Sequence, residues 1–238
     1  MRLVPALAIG VSTLLLAGCA GSASGSAADD DKATTAVESP GKVKSGEAAE
    51  QAASADAATI LESGFGQDGD YAWVTALVQN EGLVDEFATV TFNLYDEAGT
   101  LVASTDQVEG FTSEKGMTAI GTQVDTSGAV VAKVDAHLGV SEYGSDRDPV
   151  AQVAPVDGTV GVDGEWTFAL QNGTTEDWTD LRVGIICRDA AGTVVGGGSA
   201  FPPLVAAGQP YLLSDSLIIS TAATATCTAY PQVQISYE

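Results

Sequence analysis

Val90-Thr91-Phe92-Asn93-Leu94-Tyr95-Asp96-Glu97-Ala98-Gly99-Thr100-Leu101-Val102 is the stretch that decides the fold. Val90, Phe92 and Leu94 alternate with Thr89, Thr91, Asn93 and Tyr95, the period of a strand with one face buried and one solvated. Asp-Glu-Ala-Gly-Thr then supplies turn chemistry ahead of a second apolar pair, Leu101-Val102, so a β-hairpin is expected. The same text recurs as Val183-Gly-Ile-Ile-Cys-Arg-Asp-Ala-Ala-Gly-Thr-Val-Val195, with Asp96, Ala98, Gly99, Thr100 and Val102 repeated at an offset of 93. Upstream, Val78-Gln79-Asn80 answers Leu170-Gln171-Asn172 at an offset shorter by one residue. Two copies of one domain are the simplest account.

Working outward from the hairpins, further strands read at about 71–79, 117–124 and 129–140 in the first copy. In the second they read at about 165–171, 210–219 and 224–236. Val, Thr, Gly and Ala dominate from residue 57 onward and good helix formers are sparse, which favours strands. Short strands separated by Gly/Asp turns describe a β-sandwich better than a barrel or an α/β fold.

The N-terminus has a different character. Arg2, an apolar run from Leu3 to Leu16 and small residues before Cys19 make a secretory signal too short to span a bilayer. Leu16-Ala17-Gly18-Cys19 resembles the lipobox of bacterial lipoproteins, in which the cysteine is acylated, for instance by palmitate, and becomes the first mature residue. Residues 1–18 are therefore expected to be a lipoprotein signal peptide, and residues 19–56 a lipidated Cys19 and flexible tether. That tether is Ser, Ala, Gly, Asp and Glu with almost no large apolar residue, and as a coil it reaches roughly 30–37 Å. Residues 57–144 would then form the first sandwich and 145–238 the second.

The formal charge is −23. Residues 20–56 carry seven acids and three bases, 57–148 sixteen and three, and 149–238 nine and two. Without a basic footprint nucleic acid is not an expected partner, and anionic lipid would repel the folded domains. Solubility is the simplest use of so much negative charge.

Three cysteines in an exported chain leave one unpaired, here the lipid acceptor Cys19. Cys187 and Cys227 are left to pair, and outside the cytoplasm a disulfide is the default. At the offset of 93, Cys187 falls on Leu94 and Cys227 on Val134, both apolar and inward in register. A covalent pin in the second copy thus takes the place of an apolar pair in the first. The cysteines lack the Cys-x-x-Cys spacing of a redox-active pair.

Phe92-Asn93-Leu94-Tyr95-Asp96, followed by Gly99-Thr100-Leu101-Val102 and preceded by Asn80, resembles the FxLYD family of bacterial extracytoplasmic domains. The second copy departs from the motif, with Ile185, Cys187 and Arg188 where Phe, Leu and Tyr are expected, while Asp189, Gly192 and Ala207-Gly208-Gln209 fit. The resemblance implies an immunoglobulin- or fibronectin-like sandwich found in exported proteins and lipoproteins. It transfers no catalytic residue. The fold expected is thus all-β, two tandem immunoglobulin-like β-sandwiches behind a signal peptide and a disordered tether.

Chemistry has little to work with. His137 is the single histidine and sits on the outward register of its strand beside Asp135 and Lys133, whereas a Ser–His pair needs an oriented, buried imidazole. The chain has no Gly-x-Ser-x-Gly elbow, phosphate loop or His-Glu-x-x-His helix. Asp68-Gly69-Asp70, with Asp163-Gly164-Glu165 in a comparable place before Trp166, is the best oxygen-rich candidate for calcium, although Asp-Gly is also ordinary turn chemistry. Of the tryptophans, Trp73 and Trp166 in matching strands read as core, while Trp178 falls between strands and reads as a surface residue for a partner. Asn172-Gly173-Thr174 reads as a turn. The function expected is a non-catalytic, cofactor-free lipoprotein on the extracytoplasmic face of the cell membrane, held by its lipid and binding a protein or cell-envelope partner. The alternative is a receptor module for a small ligand or a cation such as calcium.

Overall fold

In the computed structural model, residues 57–142, 148–215, 218–221 and 224–234 are described. The expected signal peptide, Cys19, the expected tether and the boundary expected at residues 144–145 lie outside them.

The first copy is six strands: β1 (Ala58–Asp68), β2 (Tyr71–Glu81), β3 (Glu86–Tyr95), β4 (Leu101–Phe111), β5 (Lys115–Asp125) and β6 (Lys133–Glu142). They form two antiparallel sheets, ordered β1-β2-β5 and β4-β3-β6. Val74, Val78 and Ile120 of the first sheet meet Val90, Phe92 and Leu94 of the second in one core. The alternation read from Val90 to Tyr95 is present residue for residue, with Ala88, Val90, Phe92 and Leu94 buried and their neighbours half-exposed.

The second copy has β7 (Val156–Asp157), β8 (Thr159–Val160), β9 (Trp166–Gln171), β10 (Trp178–Thr179), β11 (Leu181–Arg188), β12 (Val194–Ala200), β13 (Leu204–Val205), β14 (Pro210–Asp215), β15 (Ile219–Ser220) and β16 (Thr226–Val233). Its sheets run β14-β9-β8 and β15-β12-β11-β16-β7, with β10-β13 as a small separate ladder. At the repeat offset, β2, β3, β4, β5 and β6 answer to β9, β11, β12, β14 and β16. In both copies the β2 and β5 positions (β9 and β14) pair in one sheet, and the β3 position (β11) lies between the β4 and β6 positions (β12 and β16) in the other, as in immunoglobulin-type sandwiches. Phe168, Leu170, Val183, Ile185 and Cys187 line the second core.

The two hairpin turns are built alike. Asp96 Oδ1 accepts from the backbone N–H groups of Ala98 (2.9 Å) and Thr100 (2.8 Å), and Asp189 Oδ1 from those of Ala191 and Thr193 (both 2.9 Å). Gly99 and Gly192 follow with φ of 78° and 85°, a left-handed conformation that glycine adopts without strain. A bulge sits at the same place in each ladder, after Leu94 and after Cys187. The register places Leu94 opposite Val134 and Cys187 opposite Cys227, and the two sulfurs are bonded with Cα atoms 4.0 Å apart. The pin expected from the repeat therefore joins two neighbouring strands of one sheet.

Asn80 and Asn172 are a second matched pair. Asn80 Nδ2 donates to the carbonyls of Leu83 (2.7 Å) and Ser113 (2.8 Å), and its Oδ1 accepts from Leu83 N–H (2.9 Å). Asn172 Nδ2 donates to Glu176 O (2.9 Å) and Val205 O (2.8 Å), and its Oδ1 accepts from Thr174. Each buried amide ties two loops together with its hydrogen bonds satisfied.

The halves do not behave as separate beads, because the described residues of both fall in one compact unit. The outer faces of β1-β2-β5 and of the β11, β12 and β16 strands press together in a seam. Leu77 and Ala119 from one side pack with Ile186, Val194 and Tyr230 from the other. Glycines let the backbones approach: a Cβ on Gly64 would lie 2.6 Å from Val194 Cβ, and one on Gly184 would lie 2.5 Å from Ala119 O. Trp73 faces this seam, while Ala72, Val74 and Val78 face the first core, so Trp73 and Trp166 lie in matching strands but on opposite faces. The strand itself repeats at an offset of 92, from Asn80 to Asn172, whereas the two tryptophans are 93 apart, which is why the parity changes.

The seam gives a direct test. Gly184→Val drives a branched side chain into the Ala119 backbone, an overpacking that costs about 1–3 kcal/mol. Gly139→Ala, whose new Cβ would meet nothing closer than 3.9 Å, should be neutral or slightly stabilising. Urea midpoints at constant m-value read the difference.

Candidate functional site

Charge at the seam is spent internally. Glu109, 2% exposed, forms an ion pair with Arg182. Arg182 also donates from Nη2 to Gly121 O (3.0 Å) and lies 5.4 Å from the Phe201 ring centroid. Burial pushes the Glu109 carboxyl above the usual carboxylate range; the Arg182 guanidinium and the Gln107 and Gln234 amides pull the other way without cancelling it. On the other side of the seam, the bulge at Leu61 puts Glu62 in register with Leu77. Glu62 pairs there with Arg188, whose Nη2 also donates to Tyr230 Oη (3.0 Å). Burial works against the Arg188 charge, but the Glu62 and Tyr230 hydrogen bonds outweigh it and hold the guanidinium above its ordinary value. Both arginines of the second half thus bind acids of the first.

The linker adds a strap. Val150 N–H donates to Thr112 O (2.7 Å), and the Gln152 amide, oriented to satisfy both neighbours, donates to Lys115 O (3.0 Å) and accepts from Met117 N–H (2.9 Å). It pairs with the start of β5 as a strand backbone would.

The candidate calcium residues do not converge. Asp68 and Asp70 flank Gly69 in the β1–β2 turn, where Asp70 O accepts from Thr126 N–H (2.8 Å) and Oγ1 (3.0 Å). Asp163 and Glu165 hold their own turn, with Glu165 N–H donating to Asp163 Oδ1 (3.3 Å). Among the described residues no three His, Cys, Asp or Glu side chains group as a metal site.

Trp178 corrects an expectation. It is 6% exposed, pairs with Val205 through the β10–β13 ladder and belongs to the second core. The Asn172 amide draws the 172–178 loop inward by bonding Glu176 and Val205, so a residue that reads as a surface contact closes the sandwich.

His137 is exposed, as its register predicts. It lies on the outer face of β4-β3-β6 directly across from Thr91, which is in turn across from Asp106. Two strand spacings separate Asp106 from His137, roughly 10 Å, too far for an acid–imidazole hydrogen bond. In the next row Ser104 Oγ donates to Asn93 Oδ1 (2.8 Å), and Asp135 binds Lys133 Nζ (2.8 Å). That hydrogen bond raises the Lys133 pKa. At the far end Glu86 and Glu142 stand opposite one another, and burial, then the Glu142 charge, raise the Glu86 carboxyl.

Two concavities among the described residues are modest. A groove of about 260 Å³ is lined by Asp180, Leu181, Phe201, Pro202, Pro203 and Gln234. A crevice of about 10 Å³ beside Met117 and Gln152 has room for a single water. Neither gathers a nucleophile and a base. No known family model matches the chain, and no curated protein matches it. The fold, the repeat and the seam therefore carry the functional argument.

Proposed function

We propose that this chain is a bacterial lipoprotein that presents a rigid double sandwich outside the cell and acts by binding, without covalent chemistry. The seam is the observation that carries this reading. The ion pairs of Arg182 and Arg188, the hydrogen bonds of Gln152 and the close backbone approach at the interface glycines hold the two halves in one orientation, which suits a platform that displays loops and sheet edges to a partner. The Leu16-Ala17-Gly18-Cys19 lipobox and a tether of roughly 30–37 Å support a place at the membrane surface. The Cys187–Cys227 disulfide supports an oxidising compartment, and the likeness of Phe92–Val102 to the FxLYD motif supports the same setting.

Labelling of bacterial cells with radioactive palmitate tests the anchor. Wild type should incorporate label and partition into detergent, and Cys19→Ala should do neither. A wild-type protein that is exported but unlabelled would overturn the reading.

A further inference from the structure

The two halves treat their sheet edges differently. In the second half the outer side of β12 is taken by β15, pairing at Gly196 and Gly197, and the outer side of β16 by β7, pairing at Thr228 and Ala229. The equivalent strands of the first half, β4 and β6, are both edges of their sheet, and no described strand pairs with the side of either that faces away from β3. An uncovered edge offers a row of backbone donors and acceptors to any extended chain, and proteins that avoid such pairing place Lys, Pro or several charges there.

β6 is guarded in this way, by Lys133, Asp135, His137 and Glu142 among its ten residues. β4 is not. Its last part is engaged at the seam, with Glu109 bound to Arg182 and the Gly110 carbonyl accepting from Gln232. The remaining stretch, Leu101–Val108, has no Lys and no Pro, and Asp106 is its one charge. Leu101 and Val108 at its two ends are 53% and 47% exposed. Eight residues of strand span roughly 27 Å, enough for a full partner strand.

The occupant follows from charge. A second copy of this chain would bring another −23 and a second Asp106 to the same edge, and like charges facing each other across strands oppose pairing. Asp106 on the strand, with Asp96 and Glu97 on the turn that enters it, favours cations instead. Resting on the reading of this protein as a binding platform, we propose that Leu101–Val108 is a strand-addition site for an extended, cationic segment of a partner protein, with alternate Lys or Arg residues on the face of Asp106. Main-chain hydrogen bonds would supply affinity and the alternate side chains specificity.

The test uses the full chain in detergent and a fluorescent Val-Lys-Val-Lys-Val-Lys-Val peptide, with Glu in place of Lys as control. Binding read by anisotropy should be specific to the Lys peptide, and backbone amide shifts should map to 101–108. Asp106→Lys and, separately, Val108→Lys should each weaken it at least tenfold while leaving the unfolding midpoint in place. Equal binding of the Glu peptide, no binding of the Lys peptide at 1 mM, or full affinity in both variants would overturn the proposal. Cross-linking capture in cells separates the two levels. A specific partner still captured by Asp106→Lys keeps the platform and removes the edge site, whereas no partner for wild type removes the platform itself.

Discussion

Replacing Arg182 with alanine is expected to cost about 3–5 kcal/mol at neutral pH, because it strands the Glu109 carboxylate in the seam with no cation. The loss should depend on pH in a definite sense. Glu109 already has a folded pKa above its ordinary value of 4.5, so protonation favours the folded state. Its contribution is fully present below the unfolded pKa and is lost as pH rises through the folded one. Removing the guanidinium raises the folded pKa further. The gap between variant and wild type should therefore be widest at pH 7 and narrow steadily as the pH falls towards about 4.5. Urea unfolding of both proteins across that range measures it, and a gap independent of pH would mean that lost packing on Phe201, not the ion pair, carries the effect. Replacing both partners together by methionine should recover most of the loss, since a well-packed apolar pair avoids the desolvation of two charges.

Removing the disulfide by Cys187→Ala with Cys227→Ala is expected to cost roughly 4 kcal/mol, the chain-entropy value for the 40-residue separation. For a protein of this size that corresponds to a fall of about 8–16 °C in Tm. The repeat suggests the compensating pair. Cys187→Leu with Cys227→Val writes Leu94 and Val134 into the second half at the same register, and should melt above the double alanine variant and be unaffected by reductant. A melting temperature at or below that of the double alanine variant would show that the second core has closed around the smaller sulfurs and does not accept the volume of the first half's pair.

Much of each sandwich was legible because its signals are local. The alternation at Val90–Tyr95 acts within a few residues, the Asp-x-Ala-Gly-Thr turns and Asn80 and Asn172 recur at offsets of 93 and 92, and the Cys187–Cys227 pair followed from the cysteine count, with its inward register given by the offset of 93. The seam was not read, because its signal is an absence of bulk. Gly64, Gly66 and Gly184 look like weak points in strands, yet they are where two backbones meet; β1, with two of these glycines, went unread as a strand. Ala72–Val78 is an unbroken run of small and apolar residues, which marks a strand covered on both faces, and only one face was assigned. The expected strand at 129–140 begins at Lys133, because Gln67 reaches across to bond Ala129 O and Val131 N–H and holds the preceding residues as a loop. Trp178 turned inward through a contact between Asn172 and Val205 that spans 33 residues. Two-residue strands such as β7 and β15 exist by virtue of the edges they cover, and nothing in their own residues announces them.

The buried amide of Asn172 has a practical consequence. Asn172-Gly173-Thr174 satisfies the acceptor pattern read by eukaryotic oligosaccharyltransferases, which act on chains entering the secretory pathway before folding is complete. A glycan added to Nδ2 would occupy the atom that must reach Glu176 and Val205 in a fully enclosed position. Secretion from yeast or mammalian cells should thus divide the product into a sugar-free folded fraction and a glycosylated fraction retained by quality control, and Asn172→Asp would not rescue it, because a carboxylate donates to neither carbonyl.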